Sequence, residues 1–245
     1  MKTYGLIGYR LSHSFSKKYF NEKFEKENIT DCVYENFPLE TINEFTTLLK
    51  TTPNLQGCNV TIPYKQEIIP YLDELDTAAK EIGAVNVVKI FPDGKLVGYN
   101  SDYFGFKISL KNFLPANHSF KALVLGTGGA AKAVVVALKD LGIPYQYVSR
   151  SNGDGVISYQ KIDEKIINHH SIIINASPLG MYPNIDSCPD IPYQFLTDTH
   201  YLYDLVYNPE ITTFMRKGME HGAHVINGLE MLIGQAEKAW EIWNR

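Results

Sequence analysis

The stretch ALVLGTGGAAKAVVVALKD, residues 122–140, decides the fold class of this chain of 245 residues. Its first four residues, 122–125, are all apolar and predict a short, buried strand. The glycine loop at 126–129 follows, and residues 130–141 read as a helix that Gly142 ends. A strand that passes through a glycine loop into a helix predicts the first part of a mononucleotide-binding βαβ unit.

The six residues at 126–131 fit the pattern G-x-G-x-x-A, in which glycines let the backbone turn tightly and approach a pyrophosphate. Backbone amides and the positive end of the helix would then point at the phosphates. We therefore expect Gly126, Gly128, Gly129 and Ala130 to cradle the pyrophosphate of a dinucleotide. The alternative is a tight strand-to-helix turn that binds nothing.

The end of the next predicted strand bears on the choice of dinucleotide. An NAD site would carry an Asp or Glu about 20 residues after the loop, to bind the ribose 2′-hydroxyl. The chain has Ser149, Arg150 and Ser151 there instead, and an arginine with two hydroxyls suits a 2′-phosphate. We therefore predict NADP (NADPH) rather than NAD as the cofactor, with a solvated surface arginine as the alternative.

Apolar runs and helical patterns alternate along the whole chain, which predicts an α/β protein with mostly parallel sheets. In the first hundred residues we predict strands at 4–7, 33–37, 55–62, 85–90 and 96–99, of which the last two form a hairpin. We also predict three helices: one that ends near residue 28, one at 41–50 and one at 73–82. The second block is predicted to hold a helix near 104–114, further strands at 145–148, 172–174 and 201–205, and an amphipathic terminal helix.

Polar side chains gather where the predicted strands of the first block end. They are Ser12, His13, Ser14 and Ser16 after the first strand, Asn59, Thr61 and Lys65 at the third, and Asn86, Asn100 and Asp102 around the hairpin. Asn59 and Thr61 lie two apart, so they share one face of a strand. Each residue alone could cap a helix or form a turn. Together they predict a site for a small polyhydroxylated substrate.

Lys65 and Asp102 are the titratable groups of this set that could move a proton. A lysine beside an aspartate can exchange a proton with a substrate hydroxyl while a hydride moves to or from a nicotinamide. The alternative is a structural ion pair, since surface pairs are common and weak.

The motifs, taken together and in order, resemble the shikimate dehydrogenase family over nearly the whole chain. The segments that carry the resemblance are SHSFS at 12–16, NVTIPYK at 59–65, GAVN at 83–86, NSD at 100–102, GTGGA at 126–130, NAS at 175–177 with Gly180 and Met181, YDLVY at 203–207, and GLEML at 228–232 with Gln235. The resemblance implies NADP-dependent interconversion of 3-dehydroshikimate and shikimate in the biosynthesis of aromatic amino acids through chorismate.

The resemblance also implies roles for individual residues. Lys65 would be the acid/base, and Asp102 would orient it and the reacting hydroxyl. The substrate would be held by Ser14, Ser16, Asn59, Thr61, Asn86 and Gln235, with Tyr207 lining the site. Gly126, Gly128, Gly129 and Ala130 would hold pyrophosphate, Ser149, Arg150 and Ser151 the 2′-phosphate, and Ser177 with Met181 would approach the ribose and nicotinamide. No metal is implied.

Gln235 lies in the terminal helix, so that helix is expected to return to the first domain. The expected division is a substrate-binding domain of residues 1–101 plus 227–245 and a Rossmann-like NADP-binding domain of residues 102–226. Two such domains predict hinge closure.

The charge and cysteine content of the chain indicate which partners and which cell compartment to expect. The net charge is −4, without a basic stripe, so nucleic acid is not expected as a partner. Three widely spaced cysteines favour a reducing compartment. The chain has neither a signal-peptide pattern nor an apolar stretch that could span a membrane. We expect a cytoplasmic protein, monomeric or homodimeric, whose partner is a small-molecule substrate.

Three alternatives to this function remain open. The first is a quinate/shikimate dehydrogenase with broader use of NAD(P), and Arg10 and Lys17 depart from the family's pattern near the serine segment, which leaves the substrate preference open. The second is a non-catalytic NADP-binding regulator, because fold does not determine function. The third is a relative of methylenetetrahydrofolate dehydrogenase, which would leave the serine segment and Gln235 unexplained.

Overall fold

The computed structural model describes residues 1–11, 14–116, 119–150 and 153–245. The chain forms two compact units, one of Met1–Ser101 with Ala236–Arg245 and the other of Asp102–Gln235. Each unit is built on one six-stranded sheet that is mostly or wholly parallel. The predicted α/β class is therefore confirmed.

The first unit has a mixed sheet. Its elements are β1 (Lys2–Gly8), α1 (Phe15–Lys26), β2 (Cys32–Pro38), α2 (Phe45–Thr51), β3 (Leu55–Val60), β4 (Glu74–Leu75), α3 (Thr77–Ile82), β5 (Val87–Ile90) and β6 (Leu96–Tyr99), with 3-10 turns at Ile42–Glu44 and Ile69–Tyr71. The strand order is β2-β1-β3-β5-β6-β4. Strand β1 runs parallel to β2 and β3, whereas β5 runs antiparallel to β3 and to β6, which confirms the predicted hairpin.

Side chains alternate between two apolar cores across this sheet. On one face, Tyr4 of β1 packs with Phe20 of α1 and with Trp243, which ends the terminal helix α8 (Leu229–Trp243). The Trp243 Nε1 donates a hydrogen bond to the Val88 carbonyl oxygen at 3.0 Å. A Cβ on Gly57 would lie 2.3 Å from that nitrogen. Only glycine therefore lets the indole approach the strand this closely.

The second unit has an entirely parallel sheet. It contains α4 (Ser101–Phe113), β7 (Ala122–Leu125), α5 (Gly129–Asp140), β8 (Tyr145–Ser149), β9 (Val156–Ser158), α6 (Glu164–His169), β10 (Ile172–Asn175), β11 (Tyr201–Asp204), α7 (Thr213–Glu220) and β12 (His224–Ile226). The strand order is β12-β11-β10-β7-β8-β9. Numbered within the unit, this is the order 6-5-4-1-2-3, the doubly wound arrangement of dinucleotide-binding sheets.

Strand β7 explains why the sequence signal for this sheet is so clear. All four of its residues are fully buried. Ala122 and Val124 pack with residues of α4 and α5, whereas Leu123 and Leu125 pack with residues of α6 and α7. Because helices cover both faces, the strand is a continuous apolar run and not an alternating one.

The helix predicted at 73–82 is wrong in its first half. Glu74–Leu75 forms β4 and pairs with β6, and the Asp73 carboxylate accepts from the Leu96 backbone amide at 2.7 Å. The helix starts only after Asp76, whose side chain caps it by accepting from the Ala79 amide at 2.7 Å. The N-cap bond of Asp76 therefore explains why the helix begins at Thr77. The sequence reading also missed the short elements β9, α6, α7 and β12.

No helix of the described residues is both long enough and apolar enough to cross a membrane. Within the same ranges, no three His, Cys, Asp or Glu side chains are grouped so that they could hold a metal ion. Cys32, Cys58 and Cys188 are free thiols. The fold is therefore held by packing and hydrogen bonds without a disulfide.

Candidate nucleotide and substrate sites

The strand order of the second unit reverses between β7 and β10, and a crevice opens there. Leu125 and Asn175 are register partners at the carboxyl ends of the two strands. Gly126, the next residue, has φ +119°, and a Cβ on it would lie 3.1 Å from the Ala176 carbonyl oxygen. Both the backbone angle and the space require glycine at this position.

A cavity of about 380 Å³ lies at this crevice. Its lining residues are Gly126, Thr127, Gly128, Ser149, Arg150, Tyr159, Ala176, Ser177, Pro178 and Leu179. Five predicted cofactor residues are among them: Gly126, Gly128, Ser149, Arg150 and Ser177. Gly129 and Ala130 form the first turn of α5 beside the cavity, Met181 lies in the loop beyond it and is half exposed, and Ser151 falls outside the described residues.

The glycine loop presents backbone donors to this cavity. Helix α5 starts from Gly128, and no described side chain caps it. A Cβ on Gly128 or Gly129 would meet open space, so a ligand can approach the backbone closely. The first amides of a helix lack partners within the helix and carry its positive partial charge. This arrangement suits a pyrophosphate.

Arg150 gives one side of the cavity a positive charge. It is exposed and follows β8 directly, and it is the only charged side chain among the described lining residues. Burial raises the pKa of the nearby Tyr159 hydroxyl, and the Arg150 charge opposes that rise. A cation without a competing carboxylate suits a 2′-phosphate. The sequence reading missed Tyr159 because it follows β9, a strand of three residues without a clear pattern.

The side chain of Asn175 forms hydrogen bonds to the cavity loop, residues 177–179. Its Oδ1 accepts from the Ser177 backbone amide at 3.1 Å and from the Ser177 hydroxyl at 2.6 Å. Its Nδ2 donates to the Leu179 carbonyl oxygen at 3.1 Å. One amide side chain therefore bonds to two residues of the cavity lining, Ser177 and Leu179.

The first unit joins several of the predicted substrate residues in one hydrogen-bonded cluster. The Tyr34 hydroxyl donates to Asn59 Oδ1 at 2.7 Å, and Ser16 bonds to the same hydroxyl. Burial raises the pKa of Tyr34 well above its usual value, which Ser16 partly opposes. Asn59 Nδ2 donates to the Asn86 carbonyl oxygen at 3.3 Å. Tyr34 thus links Ser16 to Asn59 in this cluster. The sequence analysis did not predict this role.

Asn86 continues the cluster to the start of α4. Its Oδ1 accepts from the Ser101 backbone amide at 2.7 Å, and its Nδ2 donates to the Ser101 hydroxyl at 3.0 Å. Asn100 is tied to the neighbouring turn, since its Nδ2 donates to the Ala84 carbonyl oxygen at 2.9 Å. Asp102 is the next residue in the chain after this anchored serine.

The other predicted residues of the first unit have local structural partners. The Ser14 hydroxyl caps α1 by accepting from the Lys17 amide at 3.2 Å, and the Lys17 Nζ lies 2.6 Å from a carboxylate oxygen of Glu35. The Thr61 amide continues the sheet by donating to the Ile7 carbonyl oxygen. The Lys65 carbonyl oxygen accepts from the Val85 amide at 2.7 Å, which anchors the backbone under that side chain.

Asp102 lies on α4 and Gln235 on the first half of α8, and the two helices pack closely together there. Asp102, which is buried, is in the first turn of α4. One turn later, a Cβ on Gly105 would lie 2.4 Å from the Met231 carbonyl oxygen and 2.8 Å from the Gln235 amide nitrogen of α8. Glycine is therefore required where α4 crosses α8. Tyr207, beyond β11, is exposed.

These features define a class of α/β protein. Its second unit has a crevice for a dinucleotide in a doubly wound sheet, and its first unit presents amide and hydroxyl side chains. Comparison with known proteins gives the family. Residues 6–88 match the model of a shikimate dehydrogenase substrate binding domain. A shikimate dehydrogenase (NADP(+)) of Clostridium beijerinckii is 43% identical over 255 residues, which cover 99% of this chain and 92% of the relative.

Solved structures of similar proteins share the fold of this chain. The crystal structure of shikimate 5-dehydrogenase from Thermus thermophilus, in complex with NADP(H) and shikimate, is 29% identical with a TM-score of 0.85, over 99% of this chain and 93% of that one. A quinate dehydrogenase from Corynebacterium glutamicum in complex with NAD is 26% identical with a TM-score of 0.88, over the same shares. The chain belongs to the shikimate dehydrogenase family, which confirms the resemblance seen in the sequence.

Proposed function

We propose that the chain catalyses the NADP-dependent, reversible reduction of 3-dehydroshikimate to shikimate in the biosynthesis of aromatic amino acids through chorismate. One observation carries the proposal: the glycine crevice, with Arg150 in its lining, occurs in the same chain as the cluster of Ser16, Asn59, Asn86 and Ser101. The first arrangement suits a dinucleotide with a 2′-phosphate. The second suits a small substrate that carries several hydroxyls.

NADPH would supply the hydride. The chain's part is to bind the dinucleotide through backbone amides at Gly126, Gly128, Gly129 and Ala130, and its 2′-phosphate through Ser149, Arg150 and Ser151. Ser177 and Met181 would approach the ribose and nicotinamide. Charge-assisted bonds from a guanidinium to a phosphate are strong and directional, so Arg150 would contribute most to the preference for NADP.

Lys65 and Asp102 would handle the proton. In the reductive direction, Lys65 would donate a proton to the substrate oxygen that becomes a hydroxyl, and in the oxidative direction it would remove that proton. Asp102 would orient Lys65 and the reacting hydroxyl. Further groups would bind the substrate's carboxylate and hydroxyls: Ser14, Ser16, Asn59, Thr61, Asn86, Tyr207 and Gln235.

The domain roles follow from these assignments. We assign substrate binding to residues 1–101 plus 227–245 and cofactor binding to residues 102–226. The proposed setting is the cytoplasm, where the reduced dinucleotide and free thiols are both maintained. The proposed partner is the small-molecule substrate, with neither nucleic acid nor membrane, and the chain would act as a monomer or a homodimer.

The test is the absorbance of the reduced nicotinamide after mixing the protein with shikimate or quinate and either NADP or NAD. An increase with shikimate and NADP, and a much smaller one with the other three combinations, is the expected result. No increase in any combination, with NADP still binding in a titration, would favour the non-catalytic regulator and overturn the proposal.

A second candidate is a quinate/shikimate dehydrogenase with broader use of NAD(P). The similarity to the NAD-bound quinate dehydrogenase favours it, and the Arg150 side of the cavity argues for NADP instead. Efficient turnover of quinate, or of shikimate with NAD, would move the assignment to this candidate.

A further inference from the structure

We infer that Asp204 is a positioning residue for cofactor binding: through Asn175, its carboxylate sets the orientation of Ser177 at the nucleotide cavity. The inference rests on the proposed function, in which that cavity binds NADP. Asp204 ends β11 and Asn175 ends β10, and the two residues are direct neighbours in the register of the parallel pair. Asn175 bonds directly to residues of the cavity lining, Asp204 bonds to Asn175, and both are fully buried.

The carboxylate of Asp204 is surrounded by donors. Its Oδ1 accepts from Asn175 Nδ2 at 2.9 Å and from the Val206 amide at 3.0 Å. Its Oδ2 accepts from the Thr212 hydroxyl at 2.6 Å. A buried carboxylate is costly unless such bonds satisfy it. Three donors from three different segments therefore converge on one charge.

This charge acts together with the Leu179 carbonyl oxygen, which accepts from the same Nδ2, to favour one orientation of the Asn175 amide. An ionised carboxylate accepts hydrogen bonds and donates none, so Asn175 must turn its Nδ2 towards Asp204. The acceptor end, Oδ1, then faces the other way and accepts both the amide and the hydroxyl of Ser177. With the amide reversed, two acceptors would face each other at Asp204 and two donors at Ser177. Asp204 thus contributes, through Asn175, to the orientation of Ser177 in the cavity loop.

The same carboxylate holds a second segment. Val206 and Thr212 flank the stretch that contains Tyr207, and Thr212 also caps α7 by accepting from the Met215 amide at 3.3 Å. Asp204 therefore ties the loop that lines the nucleotide cavity to the segment that carries Tyr207. Removing the carboxylate would free both at once.

The experiment is calorimetric titration of NADP⁺ into the wild-type protein and into the variants Asp204→Ala, Asp204→Asn and Tyr203→Phe. Asp204→Ala leaves buried donors without an acceptor, so we expect the Kd to rise by about tenfold or more. Asp204→Asn keeps one acceptor oxygen in the same place and should retain part of the affinity. It also carries the test if the alanine variant does not fold.

Tyr203→Phe is the matched control. Tyr203 precedes Asp204 on β11 and its hydroxyl donates to the Ser109 hydroxyl at 2.8 Å, in the core on the opposite face of the sheet. The variant loses one buried hydrogen bond of the same strand without touching the cavity loop. Its Kd for NADP⁺ should stay within about twofold of the wild type, because it leaves the loop's bonds intact.

A double-mutant cycle with Ser177→Ala separates positioning from general destabilisation. If Asp204 acts through Ser177, replacing Asp204 by Asn should weaken NADP⁺ binding less in the Ser177→Ala background than in the wild type. Additive effects, or wild-type affinity in both Asp204 variants, would overturn the inference alone. A wild-type protein that binds no NADP⁺ would overturn the proposed function and the inference with it.

Discussion

The side-chain amide of Asn86 bonds to both the backbone amide and the hydroxyl of Ser101. Asn86 Oδ1 accepts from the Ser101 backbone amide at 2.7 Å, and Asn86 Nδ2 donates to the Ser101 hydroxyl at 3.0 Å. Both residues are buried. The pair joins the strand end that carries Asn86 to the first residue of α4, and Asp102 follows directly in the chain.

Replacing Asn86 by Ala should destabilise the protein and weaken substrate binding together. The buried Ser101 amide would lose its acceptor, which costs about 1–3 kcal/mol of unfolding free energy. Urea unfolding and the KM for shikimate measure the two effects. Asn112→Ala is the control, because Asn112 bonds to Glu230 at an exposed position and should change neither quantity. A normal KM for shikimate in Asn86→Ala would contradict the assignment of Asn86.

Replacing Lys65 by Ala should abolish most turnover without a comparable loss of stability. Positioned acid/base groups contribute about a hundredfold or more to rate, and the Lys65 backbone stays anchored through its carbonyl bond to the Val85 amide. The measurements are kcat in both directions and the unfolding midpoint. Lys65→Met, which keeps the apolar stem, should lose turnover equally. Near-normal kcat in either variant would remove Lys65 from the catalytic role.

Replacing Arg150 by Ala should weaken NADP⁺ binding and leave NAD⁺ binding nearly unchanged. A charge-assisted bond to the 2′-phosphate is worth about 1.5–3 kcal/mol, or about ten- to a hundredfold in Kd. Titration with each dinucleotide measures the ratio. Arg216, exposed on α7, provides the charge-matched control variant Arg216→Ala. Equal losses for both dinucleotides would show that Arg150 does not read the 2′-phosphate.

The glycines Gly126 and Gly142 offer a matched pair for testing the crevice. Both have positive φ, but a Cβ would meet the Ala176 carbonyl at Gly126 and open space at Gly142. Alanine at either position should cost about 1–2 kcal/mol of stability from the backbone angle alone. Only Gly126→Ala should also weaken NADP⁺ binding. Unfolding and titration of both variants decide this, and equal Kd values would place the dinucleotide elsewhere.

The pH dependence of stability should carry a contribution from Asp204. Burial raises the pKa of its carboxyl from 3.8 to about 6, against the opposing effect of three hydrogen bonds. The folded protein therefore keeps this proton to a higher pH than the unfolded chain does. The stability that Asp204 contributes is greatest below about pH 4 and falls by on the order of 3 kcal/mol as the pH rises to about 6.

Urea unfolding of the wild type and Asp204→Asn between pH 4 and pH 7 tests this prediction. The variant has no carboxyl at 204, so the wild type should lose stability relative to it as the pH rises through this range. Asp140→Asn is the control of opposite sign, because Lys107 lowers the pKa of the Asp140 carboxyl. The wild type should therefore gain stability relative to Asp140→Asn as the pH rises through the usual carboxyl range. A constant difference between the wild type and Asp204→Asn would contradict the raised pKa.

The sequence predicted most strongly the elements whose local pattern matches their environment. The strand Ala122–Leu125 was predicted with its observed bounds because helices cover both of its faces, so all four residues are apolar. The prediction of a helix at 73–82 was wrong in its first half because those residues bond to β6, a partner 23 residues later in the chain. Such pairing leaves no periodicity in the sequence.

The candidate sites divide in the same way. The glycine loop and the Ser149-Arg150 pair were found from sequence because a turn with positive φ and a strand end impose local requirements on residue type. Tyr34 and Tyr159 were missed, because their part in the sites comes from neighbours distant in the chain. An aromatic residue in a strand or turn is ordinarily a core residue, and its pattern does not distinguish the two roles.

By itself, the sequence determined the α/β class, the dinucleotide crevice and the family, since these depend on local backbone requirements and on motifs in a set order. The tertiary structure decided which polar groups support the sites. Asp204 meets Asn175 only because β10 and β11 are parallel and in register, and a carboxylate acquires its donors and its raised pKa only when folding removes water from around it.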